Sequence, residues 1–122
     1  MIIDKLKEKY DKRLKESPCP REREDFNPTI FLFHQWAYKV PNRWYGFDLS
    51  NAPFLWALII DEFLRYINIK RPDFEIHQIK LKFGGLRMHV SYNYDKDNVT
   101  DVEIYDEINK LEDWLFDERL VY

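Results

Sequence analysis

The stretch Ile79-Lys-Leu-Lys-Phe-Gly-Gly-Leu-Arg-Met-His-Val90 decides the fold. Apolar and polar residues alternate on both sides of Gly84-Gly85. A Gly-Gly pair between two alternating runs reads as a two-residue hairpin turn, because both central positions take φ > 0. That turn predicts a register in which Phe83 faces Leu86, Lys82 faces Arg87, Leu81 faces Met88, Lys80 faces His89 and Ile79 faces Val90. Side chains alternate across a strand, so Ile79, Leu81, Phe83, Leu86, Met88 and Val90 share one face, which the rest of the chain must cover. Lys80, Lys82, Arg87 and His89 share the other. There like charges stand opposite one another, an arrangement that is unfavourable unless acids compensate it. Glu75 and the acids of the C-terminal segment are the expected compensation.

The natural cover for the apolar face is a helix over residues 52–68, capped by Ser50 or Asn51 with Pro53 in its first turn. Leu55, Trp56, Ile59, Ile60, Phe63 and Ile67 make its apolar stripe, and Asp61, Glu62 and Arg65 its wet side. Between this helix and the hairpin, Phe74 and Ile76 are out of phase with Ile79 and Leu81, so a bulge near His77 and Gln78 is expected. After the hairpin, residues 95–98 read as a polar turn. Thr100 and Glu103 then form a capping box and Val99 with Ile104 a hydrophobic staple. The helix that follows carries Ile104, Ile108, Leu111 and Leu115 on one stripe, joined by Tyr105 and Trp114, with its acids elsewhere around the cylinder. Upstream, Ile3, Leu6, Tyr10 and Leu14 mark a helix over residues 2–16, ended by Pro18. Residues 17–27 form a charged loop. Asn27-Pro28 suits the cap and first turn of a helix with Ile30, Phe33, Trp36 or Ala37, and Val40 on one side, while a short strand through Ile30-Phe-Leu-Phe33 competes for the same residues. Residues 41–47 read as an aromatic loop. The expected architecture is α+β: a two-stranded antiparallel hairpin packed against three to four helices in a single domain, residues 1–122. Its core should contain Leu55, Ile59, Phe63, Ile79, Leu81, Phe83, Met88, Val90, Ile108 and Leu111.

Composition limits the classes of function. Of 122 residues, 45% are hydrophobic and 17% aromatic, enough for a real core in a chain of this size. The one cysteine, Cys19, excludes a disulfide framework and a cysteine-based metal site. The N-terminus is charged throughout, unlike a signal peptide, and the longest apolar run, residues 54–60, is too short to span a bilayer. A soluble, cytoplasmic protein is expected. The net charge of −3 hides an asymmetry: residues 95–122 carry ten acids against three bases. Such a segment repels nucleic acid and attracts basic partners.

No familiar catalytic pattern stands out. His34, His77 and His89 have no ligand spacing for zinc. Pro72-Asp73 with Lys80 and Lys82 lacks the second acid that a metal-dependent nuclease needs, since Ile79 and Leu81 fill those places. The three glycines, Gly46, Gly84 and Gly85, form no phosphate-binding loop. The carboxylates of the last helix read as a solvated surface. The sequence therefore predicts neither an enzyme nor a cofactor. The basic hairpin face of Lys80, Lys82, Arg87 and His89 suits a phosphate backbone, which makes a small nucleic-acid- or phage-associated binding module the alternative reading. Overall acidity argues against it.

The run from Gln78 to Arg87 resembles a hairpin motif, Lys-x-Lys-Phe-Gly-x-Leu-Arg, found in small bacterial and phage-borne proteins. Those proteins are similar in layout too: an N-terminal helix bearing Lys-Tyr (here Lys9-Tyr10), a Trp-bearing turn (here Trp44-Tyr45-Gly46), an amphipathic helix, the hairpin and a final helix. This chain departs from them in lacking a Cys-containing tail and in carrying Leu81 where Glu is frequent. In size and style it resembles immunity proteins of toxin–immunity systems, including contact-dependent growth inhibition. That resemblance implies a cytoplasmic, non-catalytic inhibitor that occludes a cognate protein toxin, a nuclease by the charge argument. Asp106, Glu107, Asp113 and Asp117 are then the candidate steering acids and Trp44 or Tyr45 the candidate anchor.

Overall fold

A computed structural model describes residues 1–16, 27–42 and 46–117. Helix α1, Ile2–Glu16, buries Ile3, Leu6 and Tyr10 at the predicted spacing. The charged loop expected over residues 17–27 lies outside the described residues except for Asn27. Helix α2, Pro28–Trp36, settles the helix-or-strand choice: the Asn27 side chain accepts from the N–H groups of Thr29 and Ile30, and Pro28 stands in the first turn. A 3₁₀ turn, Ala37–Lys39, extends it. Its buried face is Pro28, Leu32, Trp36 and Val40, whereas Ile30 and Phe33 are exposed. The stripe expected through Ile30 and Phe33 is thus rotated, because Trp36 and Leu32 are the residues that meet the core.

Strand β1, Gly46–Asp48, ends what reads in the sequence as an aromatic loop. Helix α3, Phe54–Lys70, follows with Pro53 as its N-cap residue and no side-chain cap, rather than a Ser50 or Asn51 cap. Strands β2, Glu75–Lys82, and β3, Gly85–Ser91, make the hairpin. Helix α4, Val99–Trp114, closes the fold. The class is α+β, but the sheet has three strands in the order β1-β2-β3, not two. β1 runs parallel to β2. Parallel neighbours need a crossover, and α3 provides it.

The hairpin departs from the predicted register by two residues. Ile79 pairs with Met88, Lys80 with Arg87, Leu81 with Leu86 and Lys82 with Gly85. The turn is therefore Phe83-Gly84, with φ of 53° and 78°, not Gly84-Gly85. An even slip leaves every other side chain on its predicted face. The tertiary reason lies at the C-terminal end of α4. Leu86 N–H donates to Leu115 O at 3.0 Å, Asp117 N–H donates to Gly84 O at 2.8 Å, and Gly85 bridges Phe116. This chain segment pairs with the hairpin end and sets where it turns. Phe83 is pushed out of the core to the hairpin tip, 74% exposed. The expected bulge is present, with the register shifting between Ile76 and Gln78 so that His77 is the extra residue.

One core joins all four helices and the apolar sheet face. Leu55, Ile59, Phe63, Ile79, Met88 and Leu111 are buried as expected, while Leu81, Val90 and Ile108 are only partly so. Helix α3 is central, with eight buried residues on most of its circumference. Each fully buried large apolar side chain contributes about 1.5–3 kcal/mol. Its expected wet side is only partly wet. Asp61 accepts from Trp36 Nε1 at 2.8 Å, and Glu62 accepts from the Tyr10 hydroxyl, so both carboxylates tie α3 to its neighbours. Helix α4 is capped by Asn98, whose side chain accepts from Asp101 N–H at 3.2 Å. The cap expected at Thr100 thus lies two residues earlier, and Val99 is exposed instead of stapling Ile104.

Candidate binding surfaces

The acids of α4 divide into two groups. Asp101 and Glu107 are buried, although neither was expected to be. Glu107 sits between Ile104 and Leu111 on the buried stripe, and its Oε2 accepts from Ile3 N–H at 3.0 Å. A carboxylate at the first turn of α1 satisfies a donor that no intrahelical carbonyl reaches and complements the helix dipole. Glu107 is therefore a structural link and not a steering acid. Lys110 lies 3.8 Å from its other oxygen. Glu112, half-buried, accepts from Met88 N–H at 2.8 Å and so caps the outer edge of β3.

Asp101 is the hub of the far end of the molecule. The Arg71 guanidinium grips both its oxygens, Asp95 N–H donates to it at 2.8 Å, and the Tyr92 hydroxyl donates to its backbone carbonyl at 2.9 Å. The Arg71 hydrogen bonds hold the Asp101 carboxyl below the usual aspartate range against the opposing effect of burial. Burial, reinforced by the Asp101 charge, pushes the Tyr92 phenol up to about 12. This cluster joins the end of α3, the exit of β3 and the start of α4.

The other described acids of α4 face water. Asp106 and Asp113 are exposed, with Glu103 and Lys110 on the same side of α4. Asp117 is half-buried, its backbone joined to Gly84. Trp44 and Tyr45, the candidate anchors, lie outside the described residues. In their place the structure presents aromatic rings that sequence reasoning missed. Tyr92, Tyr94 and Tyr105 form a ladder with centroids 6.1 and 6.4 Å apart, and Tyr94 and Tyr105 are 49% and 57% exposed. Tyr92 and Tyr105 line a groove of about 930 Å³ walled by His77, Arg87 and His89 from the sheet and by Ile108, Asn109 and Glu112 from α4.

The four basic residues of the hairpin do share one face, as predicted. Lys82, Arg87 and His89 are exposed and Lys80 is half-buried. Among the described residues the expected compensation by acids is not there. None of the four forms an ion pair with a described residue; Glu75 lies opposite Ser91, and Glu112 is turned to a backbone N–H. Asp48 is the nearest acid by register, opposite Lys80 on β1. Among the described residues no group of three or more His, Cys, Asp or Glu is placed to hold a metal ion, and no helix is long and apolar enough to cross a membrane. Comparison with known proteins gives no match, whether by family model, by curated protein or by solved structure.

Proposed function

We propose that this chain is a non-catalytic immunity protein that binds and occludes a cognate toxin, and that it uses the outer side of α4 together with the tyrosine ladder. The observation that carries this reading is that α4 exposes both acids, Asp106 and Asp113, and a ring, Tyr105, which meets the exposed Tyr94. Large rings supply contact area at low entropic cost and concentrate binding energy, while a charged rim steers the encounter. A toxin that cleaves nucleic acid must hold phosphates with basic side chains, and an acidic helix complements such a surface. The resemblance of the hairpin and of the layout to small bacterial proteins points the same way. Action in the cytoplasm, where such a toxin reaches its target, belongs to this proposal.

The test is co-production with the product of the neighbouring gene, when that gene encodes a toxin, followed by kinetics on the purified pair. Protection of cells and a stable complex are expected. Reversing Asp106, Asp113 and Asp117 to Lys should slow association by about tenfold or more at low salt and much less at high salt. Tyr105→Ala should speed dissociation by about thirtyfold, the factor that corresponds to a loss of about 2 kcal/mol at a hot spot. Wild-type association by the charge-reversed protein, with protection intact, would remove α4 from the interface.

A further inference from the structure

The open face of the sheet bears a charge arrangement that the fold itself does not explain. Lys80 and Arg87 are direct cross-strand partners, and Lys82 follows on the same face. Like charges opposite one another destabilise a sheet, and here no described side chain pairs with them. The protein as a whole is acidic at −3, so this concentration of cations is local; Asp48, opposite Lys80 on β1, is an acid in register with it but makes no ion pair with it.

The same end of the face carries exposed rings. Phe83 stands at the tip with φ of 53°, a conformation unfavourable for a residue with a side chain. Strain of this kind, held by surrounding structure, concentrates at functional positions. The Lys82 ammonium lies 5.6 Å from the Phe83 ring centroid. Phe116 is 58% exposed, and a Cβ at Gly85 would meet both its ring and the Arg87 guanidinium, at 3.7 and 3.8 Å. Ring and guanidinium therefore flank Gly85 on the open face.

We propose that this face, Lys80, Lys82 and Arg87 with Phe83 and Phe116, is a binding surface for single-stranded nucleic acid. Phosphates answer the unpaired cations, and unstacked bases cover the exposed rings. Stacking on aromatics beside a positive track is how single strands are held without base-specific readout. A duplex offers the phosphates but keeps its bases stacked, so it leaves Phe83 and Phe116 uncovered. An acidic polypeptide offers charge without planar partners for the rings. Arg87 also walls the groove that Tyr105 lines, so the two surfaces adjoin, but their residues differ and this inference does not rest on the toxin-binding reading.

The experiment is fluorescence anisotropy of the full chain with labelled oligo(dT) and oligo(U) of about twelve nucleotides, a length within the range one small domain covers. Binding is expected at about 50 mM salt, with log affinity falling by about 0.7 per contacted phosphate as log salt rises, hence a slope near −2 for the three cations. Lys80→Glu with Arg87→Glu should abolish binding. Phe83→Ala and Phe116→Ala should each weaken it about tenfold without changing the salt slope, since stacking releases no counterions. All four positions are polar or solvent-facing, and thermal melting of each variant confirms that it is folded. Asp106→Lys should not weaken binding. The proposal is overturned if neither oligonucleotide binds at low salt, if the charge-reversed variant binds like the wild type, if duplex of the same length binds as tightly as single strands, or if polyglutamate binds and the oligonucleotides do not.

Discussion

The hairpin and the last helix carry opposite charges, and the fold treats those charges in opposite ways. Helix α4 looks from its sequence like a solvated acidic surface, yet Asp101, Glu107 and Glu112 are turned inward to Arg71, to the first turn of α1 and to the edge of β3. The hairpin bases look as though the fold must neutralise them, yet Lys80, Lys82, Arg87 and His89 make no ion pair with a described residue. A run of like charge is thus a poor guide to a surface. What matters is whether each charge finds a polar group that burial would otherwise leave unsatisfied.

The largest expected effect tests the hairpin register. Ile79→Ala should cost about 2–5 kcal/mol, because its side chain is fully buried opposite Met88. Leu81→Ala, at a half-buried position, should cost clearly less, about 1–2 kcal/mol. Chemical denaturation measures both, and equal losses would restore the deeper placement of Leu81 that the Gly84-Gly85 turn implies.

The contrast sharpens further within α4, between two adjacent acids. Glu107→Ala should destabilise by about 2–3 kcal/mol by leaving the Ile3 N–H buried without its charged acceptor. Asp106→Ala should change stability by less than about 0.5 kcal/mol. Similar values for the two would mean that Glu107 does not hold α1.

The sequence could have revealed Glu107 but not Asp101. Glu107 falls three residues after Ile104 and four before Leu111, on the apolar stripe itself, and a carboxylate there signals a buried partner. The partner of Asp101 is Arg71, thirty positions away. No local pattern records such a pair. The same distinction runs through the fold. Helix α1, the Asn27-Pro28 start of α2, the face assignment of the hairpin and its bulge follow from local period and capping and were legible; the buried face of α2 was not. Strand β1 has three residues, too few to show a period, and exists because β2 offers it an edge. The turn at Phe83-Gly84 is set by residues 115–117, which pair with the hairpin only after folding. Among the candidate site residues, the shared face of the four bases was legible from alternation alone. The tyrosine ladder was not, because Tyr92 and Tyr94 meet Tyr105 only through the packing of α4 beside β3.

A smaller effect appears as pH changes. Asp101 titrates below its unfolded value near 3.8, so its contribution is complete above that value and is lost as pH falls through the lower folded one. Tyr92 titrates above its unfolded value of 10, so its contribution is complete below 10 and is lost as pH rises towards about 12. A stability profile of Asp101→Asn should therefore be flatter than the wild type on the acid side. An unchanged acid limb would remove Asp101 from the hub. The smallest expected effect is a gain: Phe83→Gly should stabilise by up to about 1 kcal/mol in denaturant, because glycine adopts positive φ without strain.

The central claim is that the basic face of the sheet has no ion-pair partner among the described residues. Chemical denaturation of the double variant Lys80→Gln, Arg87→Gln tests it most directly. With no ion pair to a described residue to lose and a cross-strand repulsion to relieve, the variant should be as stable as the wild type or more stable by up to about 1 kcal/mol. A loss of about 1 kcal/mol or more would show that these cations are paired within the protein and would contradict the account.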